Sequence, residues 1–259
     1  MNDRVDIREA LDRELRDKMK LQSYSLLEQL VLACRMLAAE QHWRNGLAGQ
    51  ITARGEQPDT YWTLKFGVGA DEATPDNLIL TDGDLRALDG VSMPNPATRF
   101  HIWVYRNHPA VPCIVHTHPP AISALSMIGV PVVVAHMDAT PFAENCAYLP
   151  EWPGLPIGDN EGEIISGALG NNKALLMANH GLLTAGATVA EAAVLALWME
   201  QAARSQLDAS AAGTIRPVKI ELACESRDFL LKREITDLTV QYFARRVLRA
   251  DPDCLAQPA

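Results

Sequence analysis

Apolar residues along positions 25–41 recur at intervals of three and four, a spacing that places them on one side of a helix. Short apolar runs bounded by glycine, proline or asparagine predict strands instead. By these two patterns we predict helices over 25–41, 97–106, 122–128, 162–169, 188–207 and 225–249. We predict strands over 50–52, 61–65, 78–81, 113–118, 130–135 and 173–178, and an irregular stretch over 138–158. Thr188 and Glu191 form a capping-box pattern, which opens a helix.

The continuity of this pattern predicts one α/β domain. The chain has 259 residues, and no internal repeat, low-complexity tract or linker divides it. A chain of this size is long enough to bury a large sheet within a single domain. Residues 1–22 are dense in charge, and we expect them to form a solvated arm or a short surface helix. The domain then occupies 23–250, and a frayed tail follows over 251–259.

Composition excludes several classes of function. The formal net charge is −9 and the isoelectric point is about 5.2, and an acidic surface disfavours nucleic acid and anionic membranes as partners. None of the five cysteines is spaced as C-x-x-C, so we expect free thiols in a reducing compartment. The sequence has no signal-peptide pattern and no apolar run of the ~20 residues that span a bilayer. We therefore expect a cytoplasmic location.

Three histidines stand where buried strands end. His116 and His118 are two positions apart in the strand predicted over 113–118, so their side chains point to the same face. His180 follows the apolar run at 173–178 and precedes a glycine, which allows a sharp turn. Three imidazoles with an open fourth position are typical of a catalytic metal. An isolated His-x-His pair would otherwise be two polar residues bonded to solvent or backbone.

The two histidine segments resemble the class II aldolase/adducin family. Residues 115–118 and 178–181, with the distance between them, match its metal-binding segments. Residues 49–54 resemble its early Gly-Asn-x-Ser turn, and Phe100-His101 resembles the helix before the metal strand. The resemblance implies a three-layer α/β/α domain with a mostly antiparallel sheet and a divalent metal on the three histidines. It implies zinc first, with Mn²⁺, Fe²⁺ or Co²⁺ as alternatives, and a homo-oligomer, with a tetramer favoured.

The acid/base residue of that family is missing. Its aldolases carry a Glu, and its epimerase an Asp, nineteen positions before the first metal histidine, where this chain has Ala97. Asp138 is our candidate for proton transfer, because His136-Met137-Asp138 resembles the epimerase's acid/base segment. The alternative is that Asp138 only caps the turn before Pro141. His136 and His101 are expected beside the ligands as orienting groups, or as plain structural histidines.

The phosphate-binding residues of the family are also replaced. Phe66 stands in place of a serine pair and Gln50 in place of the asparagine, so we expect a substrate without phosphate. Arg54, Lys65 and Arg99 are candidates for binding a carboxylate, although each residue alone is more typical of a solvated surface charge.

We therefore predict a carbon–carbon lyase that acts on a small carboxylate through a metal-stabilised enediolate. The first expectation is an aldolase that cleaves or forms a non-phosphorylated hydroxy-keto acid. The alternative is a decarboxylase of a hydroxylated aromatic or related acid, since loss of CO₂ needs no base at position 97. A third possibility is a non-catalytic, adducin-like interaction domain, which the three retained histidines disfavour.

Overall fold

The computed structural model describes residues 2–256, with side chains from Ile7 onward. The helices are α1 (Asn2–Lys18), α2 (Leu26–Ala39), α3 (Arg99–Asn107), α4 (Pro120–Met127), α5 (Asp159–Leu169), α6 (Val189–Ala212), α7 (Ile220–Leu230) and α8 (Arg233–Ala250). The strands are β1 (Gln50–Arg54), β2 (Thr60–Leu64), β3 (Leu78–Asp82), β4 (Cys113–Thr117), β5 (Cys146–Leu149), β6 (Ala174–Met177) and β7 (Leu182–Gly186). No helix within 2–256 is long and apolar enough to cross a membrane.

The strands form one seven-stranded sheet in the order β3-β2-β1-β4-β7-β6-β5. Every pairing is antiparallel except that of β5 with β6, which is parallel. This confirms the prediction of a single α/β domain with a mostly antiparallel sheet. The strand β4, which carries His116, lies at the centre between β1 and β7.

Two apolar layers cover the two faces of the sheet. Along β4, Cys113 and Val115 belong to one buried cluster and Ile114 belongs to the other, as alternation along a strand requires. We call the first side face A, which packs against α2 and α6, and the second side face B, which packs against α3 and α5. His116 is on face B, since it follows Ile114 by two residues.

The strand predicted over 130–135 is absent. This segment is extended but joins no sheet, because other groups satisfy its backbone. The amide of Val133 donates to the Gln206 side chain (2.8 Å), whose own amide group donates to the carbonyl of Pro131 (3.0 Å). The carbonyl of Val134 accepts from Val218 (2.9 Å). Long-range partners thus replace a neighbouring strand.

Four further features differ from the sequence prediction. The stretch over 138–158 contains β5, and β7 follows β6 directly as the second half of a hairpin. The single terminal helix predicted over 225–249 is two helices, α7 and α8, broken near Leu231. At the start of α6, the Thr188 side chain caps the helix as predicted, but the Glu191 carboxylate accepts from Ala187 instead of completing a capping box.

Both terminal segments pack on the domain within the described residues. The helix α1 is the expected surface helix, and it is held by ion pairs of Arg8 with Glu225 and of Asp12 with Lys232. The prediction of a frayed tail is wrong for 251–256, because Cys254 is buried and Asp251 pairs with Arg35 (2.7 Å). Residues 257–259 lie outside the described part.

Candidate metal centre

The structure brings the three predicted ligand histidines together. The ring centroids of His116, His118 and His180 lie 4.7, 4.7 and 4.8 Å apart, close to an equilateral triangle. One ring nitrogen from each lies within 4.8 Å of the other two. Within the described residues, no carboxylate or thiol joins this cluster.

His180 reaches the triangle from the turn of the β6–β7 hairpin. The turn is fixed by backbone bonds, in which Ala178 donates to Leu149 of β5 (2.9 Å) and Asn179 donates to Ser126 of α4 (3.1 Å). Asn179 adopts a left-handed conformation with φ of +55°, which asparagine tolerates better than most residues. The prediction that His180 ends a strand is refined by this hairpin, since β6 stops at Met177 and His180 occupies the turn.

Gly181 leaves room for the second ligand. A Cβ at this position would lie 2.5 Å from Cδ2 of His118 and 2.5 Å from the carbonyl oxygen of Thr117. Both distances are far inside van der Waals contact, so any larger residue must displace the His118 ring or the end of β4. The glycine that the sequence places after His180 is therefore required by close approach, and not by an unusual φ.

His116 is the most strongly oriented of the three ligands. Its Nδ1 donates to the carbonyl of Leu182 (2.7 Å), which fixes the proton on that nitrogen and leaves the lone pair on Nε2. Phe100 packs edge-on against the ring at 5.0 Å between centroids. The Nε2 atoms of His116 and His118 are 3.0 Å apart, so both face the centre of the triangle.

All three imidazoles are neutral near pH 7. Burial lowers the pKa of His116 well below its usual range, and its neighbours His118 and His180 lower it further. Burial also lowers the pKa of His118, and it lowers the pKa of His180 to about 4. Neutral rings keep free lone pairs, which is the form that binds a cation.

The donor set fits a divalent transition metal. Zn–N distances of about 2.0–2.1 Å in a tetrahedral site put ligand nitrogens roughly 3.3 Å apart, close to the separation of the two Nε2 atoms. The Nδ1 of His180 is buried and has no hydrogen-bond partner among the described residues. Three neutral nitrogens without a fourth protein ligand leave coordination positions open, as catalytic zinc sites do.

Glu200, which the sequence analysis did not identify, stabilises the chain where it leaves strand β4. The Glu200 carboxylate of α6 accepts from the amides of Ala121 and Ile122, both at 2.9 Å, and so caps α4 directly after His118. Burial raises the pKa of Glu200. In the sequence, Glu200 is only a charged position in a long helix, and its partners are about eighty residues away.

His101 lies near the triangle but bonds to none of its members. Its ring centroid is 6.4 Å from that of His116, and its Nδ1 is 2.9 Å from the Thr52 hydroxyl, which also bonds to Tyr105. Its Nε2 is buried and lacks a partner within 2–256. Ala97 lies in a 3-10 turn just before α3, so helix α3 approaches the triangle without a titratable group at position 97.

Asp138 and His136 lie away from the ligand cluster. They are exposed neighbours on a 3-10 turn over Met137–Phe142, with 3.5 Å between the carboxylate and Nδ1 of His136. Together with Gln201 and Ser205 of α6 they line a cleft of about 190 Å³. Within the described residues, His136 makes no contact with the three histidines. The structure therefore does not support the expectation that His136 orients or supplements the metal ligands.

The three basic candidates are placed very differently. Arg54 is at the opposite end of β1 from the triangle, since Gln50 and not Arg54 is the partner of His116. Its guanidinium donates to the carbonyls of Val111 (2.8 Å) and Tyr105 (2.7 Å), so it supports the fold and cannot bind a substrate at the metal. Arg99 forms an ion pair with Asp159 at 2.8 Å.

Of the three basic residues proposed to bind a carboxylate, Lys65 lines a cavity together with Gln50, which neighbours the metal centre. It lines a small cavity together with Gln50, Phe66 and Asn95. Gln50 pairs directly with His116 across β1 and β4, so both side chains lie on face B. The Gln50 side-chain oxygen is buried and has no partner within the described part of the chain.

Comparison with known proteins gives a consistent family. Residues 28–207 match the family described as "Class II Aldolase and Adducin N-terminal domain". Over 183 residues the chain is 34% identical to 4-hydroxy-3-prenylphenylpyruvate oxygenase/4-hydroxy-3-prenylbenzoate synthase of Streptomyces roseochromogenus subsp. oscitans, and 33% identical to the decarboxylase NovR of Streptomyces niveus. These matches span 70% of this chain and 66% and 68% of the two relatives.

A solved structure extends the likeness to most of the chain. The L-fuculose 1-phosphate aldolase from Glaciozyma antarctica PI12 is similar with a TM-score of 0.82 and 25% sequence identity. The similarity covers 92% of this chain and 97% of that one.

Proposed function

Because the chain belongs to the class II aldolase and adducin N-terminal domain family, we propose that it is a divalent-metal-dependent carbon–carbon lyase. The observation that carries this proposal is the triangle of His116, His118 and His180, with three neutral imidazoles facing one centre. A non-catalytic interaction domain would have no need of three desolvated nitrogen ligands. Zinc is the first candidate, because an all-imidazole donor set suits it.

The chain's own residues would hold the cation and keep its position fixed. His116 and His118 come from the end of β4, and His180 comes from the hairpin turn. The hydrogen bond from His116 to the Leu182 carbonyl sets which nitrogen faces the centre. When bound, the cation would supply Lewis-acid stabilisation of negative charge that develops on a substrate oxygen.

Of the two lyase reactions, decarboxylation has the stronger support. Position 97 is an alanine in the 3-10 turn just before α3, the helix that approaches the triangle, so no side chain there can abstract a proton. Loss of CO₂ does not need that step. Of the two relatives above 30% identity, one is named a decarboxylase, and the other is named both a 4-hydroxy-3-prenylphenylpyruvate oxygenase and a 4-hydroxy-3-prenylbenzoate synthase. We therefore propose that the substrate is a hydroxylated aromatic or related acid.

Aldol cleavage is the second candidate, and the structural likeness favours it. The aldolase from Glaciozyma antarctica PI12 shares the fold over nearly the whole chain. In this reaction a protein group must move a proton, and we propose Asp138 for that role. Its carboxylate is two-thirds exposed on the cleft beside α6, where a small molecule can reach it.

We propose that the substrate carries a carboxylate and no phosphate. Lys65 is a single cation beside Gln50, which is enough for one carboxylate but gives few donors to a phosphate dianion. Phe66 is exposed at the same cavity and offers an apolar contact in place of hydroxyl donors. Arg54 and Arg99 take no part, since their guanidinium groups are engaged elsewhere.

We also propose that the protein forms a homo-oligomer, with a tetramer favoured, and acts in the cytoplasm. Exposed apolar side chains occur in the two segments that bond to the His180 turn: Met127 and Ile128 at the end of α4, and Trp152 and Leu155 after β5. Apolar exposure of this kind is typical of surfaces that a second subunit covers. The five cysteines are all unpaired, as expected in a reducing compartment.

One screen tests the function. The purified protein is stripped of metal, reconstituted with Zn²⁺, Mn²⁺, Fe²⁺ or Co²⁺, and incubated with hydroxybenzoates and with hydroxy-keto acids. Release of CO₂ is the result that we expect, and release of pyruvate or an aldehyde would favour aldol cleavage. Turnover that persists without any metal, or that prefers fuculose 1-phosphate to every carboxylate, would contradict the proposal.

A further inference from the structure

A buried imidazole contacts the ligand strand from its opposite face. Thr117 lies between His116 and His118, and alternation along the strand directs its side chain to face A. The Thr117 hydroxyl is 2.8 Å from Nδ1 of His42. Thr117 is fully buried and His42 is 1% exposed, so water does not compete for this bond.

The backbone at the end of α2 positions His42 against Thr117. Gln41 adopts a left-handed conformation with φ of +68°, which reverses the chain just after the helix. The amide of His42 then donates to the carbonyl of Leu37 (3.0 Å), and Glu40 forms an ion pair with Arg246 of α8 (2.7 Å). The position of His42 is therefore set by backbone and by a neighbouring helix.

A second contact joins the same segment to the ligand strand. A Cβ on Gly49 would lie 3.0 Å from the carbonyl oxygen of His116 and 3.0 Å from Nε1 of Trp43. The chain between α2 and β1 thus packs tightly along the strand at the level of the first metal ligand. The close approach of Gly49 to the His116 carbonyl and the hydrogen bond of His42 to Thr117 place this segment against the end of the strand.

The burial of the His42 imidazole destabilises the fold. Its Nε2 is buried without a partner among the described residues, and burial lowers the pKa of the ring to about 3. An unpartnered polar group in the interior destabilises the fold, and an apolar residue of similar size would avoid that cost. The favourable interaction that the ring makes in return is the hydrogen bond to Thr117.

We propose that His42 is a positioning residue for the metal centre. Its hydrogen bond fixes the Thr117 side chain, and with it the directions in which His116 and His118 leave the strand. The proposal rests on the metal-binding part of the proposed function. It concerns metal geometry and affinity, and it does not depend on which lyase reaction follows.

Cobalt titration of metal-stripped protein tests the role, because Co²⁺ absorbs visible light with a spectrum that reports coordination geometry. Thr117→Val removes the hydroxyl with little change of shape, and Thr117→Ser restores it. We expect Thr117→Val to raise the Kd for Co²⁺ about tenfold and to alter the spectrum, since lost support of metal ligands typically costs 10–100-fold in affinity. Thr117→Ser should behave like the wild type, and adding His42→Asn to Thr117→Val should cause little further loss.

Leu30→Ala is the matched control, because it creates a cavity in the same buried helix, away from the turn that positions His42. It should lower Tm while the cobalt spectrum stays that of the wild type. The proposal is overturned if Thr117→Val keeps the wild-type spectrum and Kd, or if Leu30→Ala changes both as much as Thr117→Val does. Wild-type protein that binds no cobalt would instead refute the metal site, and the role of His42 with it.

Discussion

The metal-ligand histidines and Asp138 lie in parts of the chain that are held in very different ways. His116 is in the central strand of the sheet and is bonded to β7, and His180 is in a hairpin turn bonded to α4 and β5. Asp138 lies on a short exposed turn, where its carboxylate is 3.5 Å from Nδ1 of His136 and its backbone amide donates to the same nitrogen (3.2 Å). The extended segment before it is bonded to a helix side chain and not to the sheet.

This difference separates two requirements of catalysis. Ligands must converge within fractions of an ångström, so they are placed on elements whose backbone is fixed from several sides. A group that moves protons must exchange with water or substrate, and exposure on a cleft allows this. The comparison predicts that changes at the triangle affect metal content and activity together, whereas changes at Asp138 affect activity alone.

The largest effect is expected for loss of a ligand. His180→Ala removes one of three donors, so metal content should fall and kcat should drop by about a thousandfold or more, because the Lewis acid is worth several kcal/mol. The sheet should survive, since the hairpin is held by backbone bonds. Elemental analysis, kcat and circular dichroism measure the three quantities. Full activity of the variant would remove His180 from the centre.

Asp138→Asn tests the other side of the comparison. If Asp138 transfers a proton, kcat should fall by about 10²-fold, the low end for general acid–base catalysis, since the carboxylate is largely exposed. Metal content should not change. A near-normal kcat would make Asp138 a turn cap and would favour loss of CO₂ without a carboxylate. Loss of metal would mean that the ligand set is larger than three histidines.

Gly181→Ala tests how tightly the triangle is packed. The added methyl group displaces the His118 ring or the end of β4, so we expect a Kd for zinc about tenfold higher. The free energy of unfolding should fall by about 1–3 kcal/mol, as overpacking usually causes. Isothermal titration and denaturant unfolding give both values.

Gly167→Ala provides the control for that change. Gly167 lies in α5, and a Cβ there would meet nothing within 4 Å. The substitution should leave the metal Kd unchanged and should stabilise the helix by up to about 1 kcal/mol. Equal loss of metal affinity in both variants would show that Gly181 has no special role.

The smallest effect is expected at the substrate pocket. Lys65→Met should raise KM for a carboxylate substrate about tenfold, a loss of roughly 1.4 kcal/mol, with metal content unchanged. Arg99→Gln is the paired variant, and it should lose only the solvent-screened ion pair with Asp159, with little change in stability. If Arg99→Gln raises KM and Lys65→Met does not, the assignment of the carboxylate site is wrong.

Local patterns were sufficient for the centre of the fold. The apolar run that ends at His116 and the alternation of its side chains predicted a buried strand with two histidines on one face. Helix α2 was predicted with bounds close to those observed, since its apolar stripe repeats regularly. These features depend on residues that are close in the sequence, so the local pattern is enough to predict them.

Long-range contacts explain what the sequence did not reveal. The segment at 130–135 has the composition of a strand, but Gln206 and Val218 take its hydrogen bonds. Arg54 lies on the correct face of the sheet, yet the antiparallel pairing of β1 with β4 places it at the far end from His116. His42 and Glu200 acquire their roles from partners about eighty residues away, and no local signal marks them.

Zinc titration by isothermal calorimetry measures the proposed metal centre itself. Metal-stripped wild-type protein and the double variant His116→Ala/His118→Ala are titrated under the same conditions. We expect one zinc ion bound per wild-type chain and no comparable binding by the double variant, with both proteins folded by circular dichroism. Equal stoichiometry and affinity in the two proteins would contradict the assignment of the metal centre to His116, His118 and His180.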